Sequence, residues 1–161
     1  MPSILSTGHA KRCSQLTEAL QRLGLSASTL PMQALGALAP ASLDVYVQLP
    51  VSNPADAPSV DPGGLEDATR FLRYGLLARF EAALLVCAAL APNALVVLVP
   101  GNTAPGGTPD RSGARGQLLL ALAESIRAET VDRQVNVVVT PWGLSAEQIA
   151  AIVGSPPAAS H

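Results

Sequence analysis

Apolar positions along the chain change their spacing several times, and each change marks an element. "SILS" (3–6) reads as a short strand. In "SQLTEALQRLG" (14–24), Leu16, Leu20 and Leu23 recur at helical spacing on one face, and Gly24 is placed to stop the helix. "LSASTL" (25–30) reads as a second strand, and "LDVYVQLP" (43–50) as a third that Pro50 ends. "SNPADAPSVDPGG" (52–64) has the composition of a loop. "LEDATRFLRYGLLARFEAALLVCAAL" (65–90) predicts one long helix. "ALVVLVP" (94–100) predicts a strand whose unbroken apolar run calls for burial on both faces. After a second loop, "GNTAPGGTPDRSG" (101–113), come a helix in "ARGQLLLALAESIRAET" (114–130) and a strand in "QVNVVVT" (134–140). A short last helix in "SAEQIAAIV" (145–153) and a disordered tail, "GSPPAASH" (154–161), complete the pattern.

Strands that alternate with helices imply βαβ units, in which a parallel sheet is covered on both sides. The expected fold class is therefore α/β: a shortened Rossmann-like three-layer sandwich with about five parallel strands. Residues 1–153 form a single domain on this reading, with 154–161 as the tail. One apolar run, "AALLVCAALAPNALVVLVPG" (82–101), is roughly long enough to span a bilayer, which takes about 20 residues. Pro92 and Asn93 cut it into an Ala/Leu-rich part and a Val-rich part, as a buried helix followed by a buried strand would read. Composition narrows the function classes. With 14% charged residues and a net charge of −2, the chain has no basic footprint for nucleic acid. Its 48% hydrophobic content is too high for a disordered chain. The start, "MPSILSTGHAKR", has no apolar core behind a basic end, and makes a poor signal peptide. Two cysteines, Cys13 and Cys87, have no metal-ligand spacing, and together these features fit a reducing cytoplasm.

In this order the segments resemble the short-chain dehydrogenase/reductase family, from Thr7-Gly8 to about Gly143. "SIRAE" (125–129) stands in the place of that family's "S-L-A-x-E" helix end, and "QVNVVVTPWG" (134–143) beside its "R-V-N-x-V-x-P-G" strand. "DVYVQLP" is similar to "D-x-L-V-N-N-A", and "STGHAKRCSQLTEAL" to "V-T-G-x-x-x-G-I-G-x-x-x-A-x-x-L". The resemblance implies a Tyr-x-x-x-Lys pair for proton transfer, in which the Lys charge lowers the Tyr pKa. Counted back from Glu129, Ser112 stands where that Tyr would be and Gly116 where the Lys would be. The chain's one lysine is Lys11, and its two tyrosines, Tyr46 and Tyr74, are followed four residues later by Pro50 and Ala78. The implied Ser falls near Gly101, and the implied Asn near Arg73 or Tyr74. The dinucleotide fingerprint is altered as well. Thr7 and Gly8 are present, but Arg12 and Ser14 replace the later glycines that would let a pyrophosphate approach. Gln48, Leu49, Pro50 and Val51 replace the "N-N-A-G" stretch. The spacing from Gly8 to Asp44 is too short for two further βα units, so one unit on the adenosine side is missing.

These departures predict no catalytic residue of the family's kind, no metal site and no cofactor. Two readings of "GHAKRCS" stay open. Gly8, Lys11, Arg12 and Ser14 could form an anion site at a helix N-terminus. The plainer reading is a solvated loop with a Ser14 or Thr7 cap, because cations oppose the dipole at that end. Cys13 reads as a buried small hydrophobe rather than a low-pKa thiol. Asp110, Arg111 and Arg115 read as helix-start charges. The helices at 65–91 and 114–129 carry more apolar arc than the roughly 100° that one sheet face needs. Leu118, Leu119, Leu120, Leu122, Ala123 and Ile126 cover the second helix, and the first is apolar all round from Ala82 to Leu90. An interface through Phe71, Leu76, Phe80, Leu84, Leu118, Leu120 and Ala121 is expected. The resemblance points the same way, since that family assembles through these two helices. The leading expectation is a catalytically inactive assembly or partner subunit, pairing with itself, an active dehydrogenase or another pathway enzyme. The alternative is an enzyme or small-molecule binder with relocated, non-nicotinamide chemistry in the old cleft. Neither nucleic acid nor membrane is an expected partner.

Overall fold

The computed structural model describes residues 1–51, 64–101 and 111–155, with some side chains inside helices omitted. Five parallel strands make one sheet: β1 (Ile4–Thr7), β2 (Ala27–Thr29), β3 (Leu43–Gln48), β4 (Leu90–Leu98) and β5 (Asn136–Val139). Their order is β2-β1-β3-β4-β5. This is the expected shortened Rossmann-like sandwich. α1 (Ala10–Arg22) and α6 (Ala146–Gly154) cover one face. α2 (Met32–Leu35), α4 (Ala78–Cys87) and α5 (Arg111–Glu129) cover the other. α3 (Leu65–Arg70) leads into a π-helical stretch, Phe71–Leu77, that continues as α4. Among the described residues, no helix is long and apolar enough to cross a membrane.

Val96, Val97 and Leu98 of β4 are fully buried. The continuous apolar run at 94–100 thus does mark a strand covered on both faces. Val96 and Leu98 point into the layer under α4 and α5; Leu95 and Val97 point into the layer under α1 and α6. Alternation along a strand sends neighbours to opposite faces.

Several boundaries differ from the sequence reading. The first strand runs 4–7 rather than 3–6, and α1 starts four residues earlier than 14, just after Gly8 turns the chain at φ +134°. Its N-cap is His9, and no side chain caps it. Neither expected cap acts there: Thr7 Oγ1 instead bonds Tyr46 Oη at 2.8 Å, and Ser14 lies inside the helix. Gly24 does follow the end of α1, at φ +74°. The short α2 was missed, because four residues are too few to show a period. Pro92 and Asn93 do not separate helix from strand. β4 already begins at Leu90, and the pair lies inside it, where Asn93 takes φ +62° and the register with β3 shifts. A bulge accepts a proline, which has no N–H to give to the ladder. α6 opens with a full capping box between Ser145 and Gln148. Residues 52–63, 102–110 and the tail beyond Ser155, read above as loops and a disordered tail, lie outside the described residues.

Candidate functional site at the carboxyl edge of the sheet

In an open parallel sheet, ligands bind beyond the carboxyl ends of the strands, where the winding direction reverses. Here that point lies between β1 and β3, since the chain goes to β2 on one side and to β4 and β5 on the other. The loops leaving these two strands are tied together. Leu49 N–H donates to Thr7 O at 2.8 Å, and His9 N–H donates to Pro50 O at 3.0 Å. A Cβ on Gly8 would stand 2.7 Å from Leu49 O and 2.8 Å from Leu49 Cβ. Gly8 is therefore a glycine because Leu49 presses on it, and the gap into which a phosphate would reach is closed by the chain's own backbone.

Two cavities flank this closure. The larger, about 810 Å³, lies over α1 and α6, and its basic walls are His9, Lys11, Arg12, Arg22 and Arg115. The smaller, about 120 Å³, lies toward α2 and α4 and includes Thr7, Gly8, Gln48 and Arg79. Leu49 and Val51 wall both. The structure thus gathers only part of the anion site read from the sequence. Lys11 and Arg12 line the larger cleft, Gly8 borders the smaller one, and Ser14 lines neither. Arg115 lies from α5 across the edge, its guanidinium 6.0 Å from the Trp142 ring centre. Among the described acids only Glu18 and Glu147 reach the larger cleft, and Glu147 pairs with Arg22 at 3.1 Å.

Beneath the edge lies a buried polar chain. Tyr46 Oη bonds Thr7 Oγ1 and accepts from Gln48 Nε2 at 3.2 Å. Gln48 Nε2 also donates to Arg79 O at 2.8 Å. Arg79 Nε donates to Gln48 Oε1 at 2.9 Å, and Nη2 donates to Val99 O at 2.7 Å and Gln48 O at 3.2 Å. Sequence reasoning missed Arg79. The signal was available, since it is the one cation between Arg73 and Arg111, in an otherwise apolar stretch. Burial lowers its pKa to about 10, with the charge of Arg115 acting the same way and Tyr46 opposing. Burial pushes the Tyr46 phenol up, so it is no base near neutral pH. Burial raises the Cys13 thiol too; Cys13 packs among Leu16, Leu20 and Ile149, as the buried-hydrophobe reading expected. Among the described residues no cluster of His, Cys, Asp or Glu could hold a metal. Gly116 faces Trp142 at 3.9 Å from where a Cβ would be; the Ser112 side chain lies outside the described residues. These groups can bind an anion. They contain no acid–base pair poised for proton transfer.

No protein-family profile matches the chain, and no curated protein matches it. Solved structures do. A short-chain dehydrogenase/reductase from Vibrio parahaemolyticus superposes with TM-score 0.60 at 17% identity, over 93% of this chain and 90% of that one. The protein lin1944 from Listeria innocua gives 0.68 at 12% identity, over 95% and 92%. A dehydrogenase/reductase from Sinorhizobium meliloti 1021 gives 0.60 at 15%, over 94% and 76%. The fold is short-chain dehydrogenase/reductase-like. At such identities the likeness concerns the fold, and function has to be argued from the site.

The expected interface residues are distributed unevenly. Leu84 and Leu120 are 63% and 52% exposed, and Ala121 is exposed. Phe80 and Leu118 are half-buried. Leu76 is buried at 5% within this chain, so it cannot belong to an outer face; the π-helical turn shifts the helical phase at that point. The Phe71 side chain lies outside the described residues. The apolar arc of α5 is also narrower than expected. Its own sheet buries Leu119, Leu122, Ala123 and Ile126, and leaves Leu120 outside. Leu72, Leu77 and Leu85, not anticipated, are 53%, 58% and 41% exposed.

Proposed function

We propose that the chain is a catalytically inactive, short-chain-dehydrogenase-like protein that acts as an assembly or partner subunit. It pairs with itself or with an active enzyme of related fold through the outer side of the π-helical stretch, α4 and α5. The observation that carries this reading is the row of exposed leucines there. Leu77 and Leu84 recur at helical spacing with Glu81 between them, Leu72 and Leu85 flank them, and Leu120 comes from the neighbouring α5. Single exposed apolar residues are ordinary on a monomer, whereas a row of them on adjacent helices marks a contact surface. Inactivity is supported by the absence of any Tyr-x-x-x-Lys in the sequence and by the raised pKa of Tyr46. Backbone closure at Gly8 supports it further.

The test is light scattering on the purified chain at high micromolar concentration, with affinity capture from native cells. Dimers or larger assemblies are expected, or a dehydrogenase that co-purifies. Leu84→Glu and Leu120→Glu should dissociate the assembly while the far-ultraviolet circular dichroism stays unchanged. A wild-type monomer that recovers no partner would refute the proposal.

A further inference from the structure

The buried arginine at the carboxyl edge plays no part in the assembly reading. Arg79 is 2% exposed. The edge of its planar fork formed by Nε and Nη2 faces Gln48 and Val99. Nη1, on the other edge, is buried without a partner. Buried donors in native proteins are paired, and an unpaired one on a charged group is costly. Among the described residues, the hydrogen-bonding partners of Arg79 are neutral: an amide and two backbone carbonyls. Among the described residues, the nearby charge of Arg115 opposes that of Arg79, and the charge of Arg12 opposes that of Arg115. An anion bound at Nη1 would satisfy that donor and offset the guanidinium charge.

The cavity that Arg79 borders narrows the choice of anion. Its other walls include Leu30, Met32, Leu35 and Ala82, all apolar. Its volume of about 120 Å³ suits a chain of a few carbons, given that a water in the liquid takes about 30 Å³. A phosphate would set further charged oxygens against these walls, which offer them no donors. We propose that Arg79 binds the carboxylate of a short-chain carboxylic acid, with its hydrocarbon chain against Leu30, Met32, Leu35 and Ala82. The site is complete within one chain and needs no partner.

Calorimetric titration of the full chain with butanoate at constant ionic strength tests this, with butanamide as the uncharged analogue and inorganic phosphate as the competing anion. Butanoate is expected to bind at least about tenfold more tightly than either, because the neutral amide brings no negative charge to pair with the guanidinium and the phosphate sets charged oxygens against apolar walls. Arg79→Lys should weaken butanoate about tenfold or more, since an ammonium cannot keep the fork on Gln48 and Val99 while reaching the ligand. Met32→Trp, at a half-buried wall position, should block binding without touching a charge, and covers the case in which Arg79→Lys does not fold. Equal affinity for butanoate and butanamide would overturn the proposal. So would preference for phosphate, undiminished butanoate binding in Met32→Trp, or no binding of butanoate at all.

Discussion

Replacing Gly8 by Ala separates two explanations of the same glycine. If Gly8 served only a ligand's approach, alanine would leave the empty protein nearly as stable as before. The structure demands otherwise. The new methyl would lie 2.7 Å from Leu49 O, 2.8 Å from Leu49 Cβ and 2.9 Å from Leu49 C, and two of those atoms are backbone. The residue would also have to hold φ +134°, a conformation that L side chains rarely adopt and that costs about 1–3 kcal/mol. Relief requires the β1 and β3 loops to separate, which weakens the His9 N–H bond to Pro50 O, worth about 1 kcal/mol. The combined loss is about 3 kcal/mol, or a fall in Tm of roughly 6–12 °C for a chain of this size. Gly24→Ala is the control. It has φ +74° and nothing within 4 Å of a Cβ, so it bears the conformational penalty alone, about 1 kcal/mol. Denaturant unfolding followed by circular dichroism measures both. A Gly8→Ala variant no less stable than Gly24→Ala would refute the closed-loop account.

Restoring the fingerprint glycines with Arg12→Gly and Ser14→Gly should not create NADPH binding in the micromolar range, about −8 kcal/mol, because Leu49 and Pro50 close the loop rather than those two side chains; calorimetry decides. Stability should be level from neutral pH to about pH 9 and then fall as pH rises further. Cys13 and Cys87 have folded pKa values raised above 9.0 by burial, so the stability they contribute is complete below the unfolded value and is lost as pH rises through the folded one. The Cys13→Ala/Cys87→Ala double variant should flatten that slope in pH-dependent urea melts, and an unaltered slope would contradict the assignment. Arg22→Ala should change the unfolding free energy by less than about 1 kcal/mol, because both partners of its 3.1 Å bridge to Glu147 are about two-thirds exposed.

The fold was legible wherever periodicity extended over enough residues. The apolar run of β4 and the Leu16–Leu20 spacing of α1 identify both elements, because burial on one or two faces writes itself into the spacing, whereas Leu23, read on the same face, is the C-cap and 54% exposed. What failed was local. α2 is one turn long, β4 absorbs Pro92 in a bulge, and the π-helical stretch moves Leu76 inward while Leu72 and Leu77 stay out. Each of these depends on tertiary contact rather than on pattern. The apolar arc of α5 was overestimated for a related reason. A wheel counts apolar residues, but in the fold Leu119, Leu122, Ala123 and Ile126 share one buried cluster with the sheet and α4.

The site was less legible, because its chemistry comes from residues far apart in sequence. Thr7, Tyr46, Gln48, Arg79 and Val99 meet only after the sheet is assembled, and three of them lie on segments that read simply as strand. Gln48 is the pivotal residue. Seen alone, it is a polar residue that ends an apolar strand. In place, its amide accepts from the Arg79 guanidinium and donates to both Arg79 O and Tyr46 Oη, so both ends of the group are used. A buried cation held by neutral partners keeps its charge at neutral pH, with a pKa of about 10, and no described carboxylate pairs with it. An apolar residue of similar volume would avoid that desolvation cost altogether. The carboxyl edge therefore sets a buried positive charge beside a phenol whose pKa burial raises, and it is this pairing, not a periodic pattern, that gives the edge its chemistry.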